Sequence, residues 1–217
     1  IGTNSKISKS GLSTSIGWSE GGAVSYYWDG QVFAAASAVN WLVEMGFIKD
    51  ASELDSLPID TEVISTAGFN GFGAPTWQAR GTASFSGMTL ATTKADLARA
   101  VVDGISAQVG EVIESVRSDG ISAKLMRVDG GLTQSKSLVQ RTADLTQLDI
   151  EIYPHPDATA MGTFALTKSG LTGKSIAESI SDWQSNLAIK PSWSEERTAT
   201  YMARFRALRD GGVNRNG

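Results

Sequence analysis

The chain has 217 residues, with 19 basic and 23 acidic side chains for a net charge of −4, and no cysteine. That length suits one large domain or two small ones and can bury a sizeable core. The near-balanced charge argues against nucleic acid and anionic membrane as partners, the lack of cysteine excludes disulfides and thiolate metal sites, and no window reaches the roughly 20 apolar residues of a bilayer span. The N-terminus shows no basic-then-apolar export signal, so a cytoplasmic location is expected. A chain that starts at Ile1 is expected to be a fragment or a processed form.

In chain order, Leu12, Thr14, Ile16 and Trp18 alternate at period two and predict a strand. Ser19 to Gly22 reads as a hairpin turn, and Ala23 to Trp28 as an antiparallel second strand. Asp29 is the expected N-cap of a helix over Gly30 to Met45, stopped by Gly46. Its small-sided run Ala34 to Ala38 suits close packing or a ligand-facing role. From Ile48 to Arg80 the pattern loosens into a charged, proline-punctuated connection, a short strand at Glu62 to Ser65, and the glycine loop Gly68 to Pro75. Trp77 is expected to be buried and to pin that loop down.

Ala83 to Phe85 predicts a strand, and Thr93 a cap for the longest helix, with Asp96 in its first turn. Leu97, Val101, Ile105, Val109, Val112 and Val116 form its apolar stripe, and Asp119-Gly120 ends it. Next come a strand from Lys124 to Val128, the turn Asp129-Gly130-Gly131, and a helix from about Thr133 to Leu145. A strand that feeds a helix through two glycines leaves backbone N–H donors uncovered, and these, with the helix dipole, attract anions. The same turn also serves many proteins as a tight connection and nothing more.

Leu148, Ile150 and Ile152 alternate as a strand, and Asp157 caps a helix over Ala158 to Lys168 whose Ala158, Ala160 and Gly162 suit close packing. His155, the single histidine, sits between prolines without partners for a ligand set. A last helix spans about Glu195 to Leu208, and Asp210 to Gly217 reads as a frayed tail. Antiparallel strands first, then strands alternating with helices, call for an α/β fold with a mixed sheet flanked by helices.

Several motifs in order resemble the C-terminal lobe of the FGGY carbohydrate kinases, over nearly the whole chain. Ala83-x-Phe85-x-Gly87-Met88, then Asp96-Leu97, then Ala100-Val101-Val102-Asp103 fit that family's C-terminal signature. Gly71-Phe72-Gly73-Ala74-Pro75-x-Trp77 looks like the glycerol kinase form of the preceding loop. Gln31 to Ala35 with Asn40-Trp41-Leu42, Val128 to Gly131, and Thr159-Ala160-x-Gly162 stand where the family has them.

The resemblance implies a ribonuclease H-like, actin-like ATPase lobe spanning 1–217, with a loop-rich insertion at about 47–82 and the N-terminal substrate lobe absent. It implies ATP or ADP as ligand, Mg²⁺ as cofactor, and phosphoryl transfer to a sugar or polyol hydroxyl once the other lobe is present, so the lobe alone should be inactive. Self-association is left open. By position, Gly131 would lie against the nucleotide, with Gly130 permitting the approach. Ser135 stands where glycerol kinase has an asparagine near adenine, Ala36 replaces a glycine and Asn40 a glutamine on the facing helix. Catalytic residues and a phosphate-gripping hairpin, which by resemblance adds a strand to the middle of the sheet, are not expected within this chain. The competing expectations are another sugar kinase of the family, such as a xylulokinase, and a non-catalytic interaction module. A dinucleotide oxidoreductase is disfavoured, because the turn lacks the G-x-G-x-x-G spacing.

Overall fold

The computed structural model describes residues 1–154, 157–179 and 188–213. Strand β1 (Ser13–Glu20) turns through Gly21 and Gly22, both at positive φ, into antiparallel β2 (Ala23–Asp29). The register shifts between Ile16 and Trp18, so the period-two face does not run unbroken: Leu12 is buried, whereas Ile16 and Trp18 are exposed. Two-residue strands β3 (Ile64–Ser65) and β4 (Phe85–Ser86) form a second antiparallel pair. The mixed sheet is the third: β5 (Leu125–Val128) lies parallel to β6 (Asp149–Ile152), which pairs antiparallel with β7 (Ala188–Ile189). The hairpin is therefore a sheet of its own. Among the described residues β1 pairs with β2 alone, and β5 with β6 alone.

Helix α1 (Ala35–Glu44) starts later than its sequence suggests, because Asp29 ends β2 instead of capping the helix. The backbone of Gln31 is already engaged: the Ala74 N–H donates to its carbonyl at 3.1 Å, and a Cβ on Gly73 would stand 1.9 Å from that oxygen. Residues pinned this way cannot wind into the first turn. Ala38, Val39 and Leu42 bury one face of α1, while Trp41 lies against Phe47 and Phe69, with ring centroids at 5.4 and 4.6 Å.

The loop-rich segment is packed, not splayed. Asp50 caps a 3-10 helix, Ala51–Ser56, by accepting from the Ser52 N–H. Phe72 is buried, and Cβ atoms added at Gly68 or Gly81 would fall 2.5 and 2.3 Å from its ring, so these glycines form a collar that only hydrogen side chains allow. Trp77 does hold the loop, yet it is exposed: its indole N–H reaches out to donate to the Gly11 carbonyl at 2.6 Å.

Helix α2 (Lys94–Ser118) is the axis of the fold, buried on every side from Ala98 to Gln108. Thr93 and Asp96 close a capping box, the Thr93 hydroxyl accepting from the Asp96 N–H and the Asp96 carboxylate from the Thr93 N–H at 2.9 Å. Thr93→Ala should lower unfolding free energy by about 1 kcal/mol; a denaturant titration with unchanged midpoint would contradict the cap's role. At the other end Asp119, the C-cap, accepts from the Ser10 hydroxyl at 2.9 Å and from the Lys9 N–H, tying the N-terminal segment to the helix.

Helix α3 (Lys136–Thr146) packs along α2, and α4 (Ala158–Thr172) follows β6. Asp157 caps α4 as expected, but the helix runs past Lys168 to Thr172, with Gly173 as its C-cap, and a Cβ added at Gly162 would meet nothing within 4 Å, so that glycine serves no close packing among the described residues. His155 and Pro156 lie outside the described residues. Short α5 (Ile176–Ser179) and β7 carry no sequence signal strong enough to predict them. Helix α6 (Glu195–Val213) replaces the expected frayed tail as far as residue 213. It packs Tyr201, Met202 and the fully buried Phe205 against Ile64, Ala107 and Leu145. No helix among the described residues is long and apolar enough to cross a membrane.

Candidate functional site

The turn after β5 is not a direct strand-to-helix junction. Gly130 takes φ 103°, and residues Gly131–Gln134 wind one 3-10 turn before Ser135 caps α3. The positive φ is open to glycine and strained for other residues. Thr133 fastens the turn, its hydroxyl donating to the Gly130 carbonyl at 2.7 Å. Cβ atoms added at Gly130 or Gly131 would meet nothing within 4 Å, so the main chain there is bare and approachable.

Beside this turn lies a cavity of about 250 Å³, lined by Ala51, Ser52, Leu54, Asp55, Gly131, Leu132, Gln134 and Ser135. One wall is the 3-10 helix of the loop-rich segment; the other is the glycine turn. Pockets for whole drug-sized ligands span about 300–1,000 Å³. This one has room for part of such a ligand.

The anion-attracting end of α3 is already taken. Asp55 accepts from the Ser135 hydroxyl at 2.8 Å, the Ser137 N–H at 2.9 Å and the Lys136 N–H at 3.3 Å. Partial burial works against its charge, but these donors outweigh it and hold the Asp55 carboxyl below the usual range. Ser135 is itself buried, its hydroxyl also accepting from the Leu138 N–H at 3.2 Å. The donors read from sequence as free for a ligand's phosphate are thus engaged by a carboxylate of the chain itself.

Gly131 and Ser135 meet in the cavity, and Gly130 sets the turn that brings them there. Ala36 and Asn40 do not line it; both stand exposed on α1, one helical turn apart. Asp55 escaped sequence reasoning because nothing in a charged connection marks one aspartate as facing a helix 80 residues away.

Behind the site, α3 is held to α2 by buried charge. Asp103 accepts from Arg99 at 2.5 Å and from Arg141 at 2.9 Å, all three side chains being almost wholly enclosed. Burial pushes the Asp103 carboxyl upward against the pull of the Arg99 and Arg141 guanidiniums. Arg141 also donates to the Ile59 carbonyl at 2.6 Å, and its guanidinium lies 3.9 Å from the centre of the Trp193 ring, as does that of Arg197. An i,i+4 pair of opposite charge, Arg99 and Asp103, was the available signal.

A family model, the C-terminal domain of the FGGY family of carbohydrate kinases, matches residues 1–169. The chain belongs to that family. The glycerol kinase of Burkholderia vietnamiensis is 37% identical over 210 residues, which is 93% of this chain and 42% of the relative. That of Burkholderia pseudomallei is 36% identical over the same span. The chain therefore covers less than half the length of the curated relatives it matches. Among solved structures, Plasmodium falciparum glycerol kinase with ADP superposes with a TM-score of 0.85 at 26% identity, over 98% of this chain and 44% of that one. Xylulose kinase from Lactobacillus acidophilus, at 19% identity and a TM-score of 0.76 over 95% of this chain and 42% of its own, shares the fold. The FGGY chain thus has the ribonuclease H-like, actin-like α/β fold that its motifs imply.

Proposed function

We propose that this chain is the nucleotide-binding lobe, over 1–217 with the loop-rich segment 47–82 forming one wall of its site, of a cytoplasmic ATP-dependent polyol or sugar kinase resembling glycerol kinase. One observation carries the reading: a cavity the size of part of a nucleotide, edged by exposed main chain at Gly130 and Gly131, in a chain whose fold matches a glycerol kinase structure with ADP. In this reading the base end of the nucleotide enters between Gly131 and the 3-10 helix, Gly130 sets the turn that allows contact with the main chain, and Ser135 stays in its capping role. Ala36 and Asn40 face the nucleotide from α1, where the Asn40 amide can both donate and accept.

Phosphoryl transfer is catalysed mainly by positioning and charge neutralisation, and this lobe contributes the positioning. Mg²⁺ fits the lobe poorly as a protein-bound ion. Among the described residues no three His, Asp or Glu side chains stand close enough to hold a metal, and Mg²⁺ is ordinarily carried on substrate phosphates and water. In this reading the base, and the site for the polyol or sugar whose hydroxyl accepts the phosphoryl group, belong to a partner lobe.

Calorimetry of ADP with the full-length protein, joined to an ATP-consumption assay over a panel of polyols and sugars, tests this directly. ADP binding and consumption stimulated by glycerol are expected, with no turnover from the isolated lobe. Absence of both binding and stimulated consumption in the full-length protein would overturn the kinase reading.

A further inference from the structure

The cavity combines two features that oppose each other. Its glycine turn and the start of α3 form the kind of place that attracts phosphate: bare main chain, N–H donors and the positive end of an eleven-residue helix. Yet a carboxylate fills it. Asp55 comes from the 3-10 helix across the cavity and accepts from two α3 backbone N–H groups and the Ser135 hydroxyl. One Asp55 oxygen, Oδ1, takes two of those bonds, from Ser135 and Ser137, while Oδ2 takes the long one from Lys136. The carboxylate also lines the cavity, so a second anion entering there meets charge of its own sign.

We propose that Asp55 is an orientation-determining residue: by seating the protein's own carboxylate at the anion-attracting end of α3, it denies the cavity to phosphate and reserves it for the uncharged end of the nucleotide. The proposal rests on the nucleotide reading above and adds a selectivity device to it. Removing the carboxylate converts the cavity into an anion site. Inorganic phosphate then competes with ADP, and a nucleotide can enter with either end first. The carboxyl's depressed pKa fits this role, since the group remains charged throughout the neutral range.

The test uses the full-length protein and inorganic phosphate as the probe, at low ionic strength where such interactions are least screened. Wild type and Asp55→Glu, which keep the charge, should show no phosphate binding at the cavity and the same ADP affinity with or without phosphate. Asp55→Ala should bind phosphate, and its ADP affinity should fall roughly fivefold when phosphate is added, the size of effect that a charge at a helix N-terminus produces. Asp55→Asn, whose amide oxygen can still accept from Ser135 and Ser137, guards against loss of folding in the alanine variant and should show the same effect at smaller size. Phosphate sensitivity that is equal in wild type and both neutral variants, or absent from both, overturns the proposal. Failure of wild type to bind ADP overturns the nucleotide reading instead, and phosphate binding measured alone on Asp55→Ala separates the two results.

Discussion

Asp103→Ala should lower the unfolding free energy by about 3–5 kcal/mol, the cost of leaving a buried charge without its partner. Asp103 is 2% exposed and is the carboxylate shared by Arg99 and Arg141. Arg141 would keep Asp60 and the Ile59 carbonyl, whereas Arg99 would keep, among the described residues, only the Ser137 hydroxyl. The loss therefore falls mainly on Arg99, which is 3% exposed. Because Arg99 and Asp103 lie on α2 and Arg141 and Ser137 on α3, the damage should spread to the wall of the cavity. Pairing the change with Arg99→Met should restore much of the stability, since a buried ion pair replaced whole by apolar side chains is often neutral. Chemical denaturation decides the matter: a loss below about 1 kcal/mol for Asp103→Ala would show that water reaches the pair.

Gly131→Asp should weaken ADP binding to the full-length protein by about 100-fold, because its side chain would occupy the narrow space beside Gly131 that the base is proposed to enter, and each 1.4 kcal/mol is tenfold. The new carboxylate would share the cavity with Asp55 and face any nucleotide approaching the turn. Folding should be untouched, since a Cβ at Gly131 meets nothing within 4 Å and its φ lies outside the positive region that Gly130 occupies. Gly131→Ala serves as the control and should bind ADP far better than the aspartate variant. Calorimetry showing equal affinity for wild type and Gly131→Asp would remove the turn from the site.

The helices with strong local signals were legible from residues alone. Thr93 and Asp96 mark the start of α2 and Asp119-Gly120 its end, because capping and glycine stops are local chemistry read from neighbours in sequence. Asp29 shows the limit of that logic. It has the right side chain before a helical pattern, yet Gly73 and Ala74 hold the Gln31 backbone and delay the helix by a full turn. Strand β7 has two residues and exists through its pairing with Ile150 and Glu151, so no periodicity could announce it. At the site, Gly130 and Gly131 were legible as a turn. The partner that neutralises the helix end was not, because Asp55 reaches it through tertiary folding. The expected face of β1 also failed: Ile16 and Trp18 are both exposed, and the strand's register shifts between them.

The outer border of β1, which among the described residues pairs with β2 alone, bears on how this polypeptide behaves at high concentration. A border of free amides and carbonyls is a template for any extended chain, and β1 adds Ile16 and Trp18, 63% and 58% exposed, as greasy contact points. Concentrated stocks are expected to self-associate through β1. A lysine placed at Ile16 is expected to suppress that association.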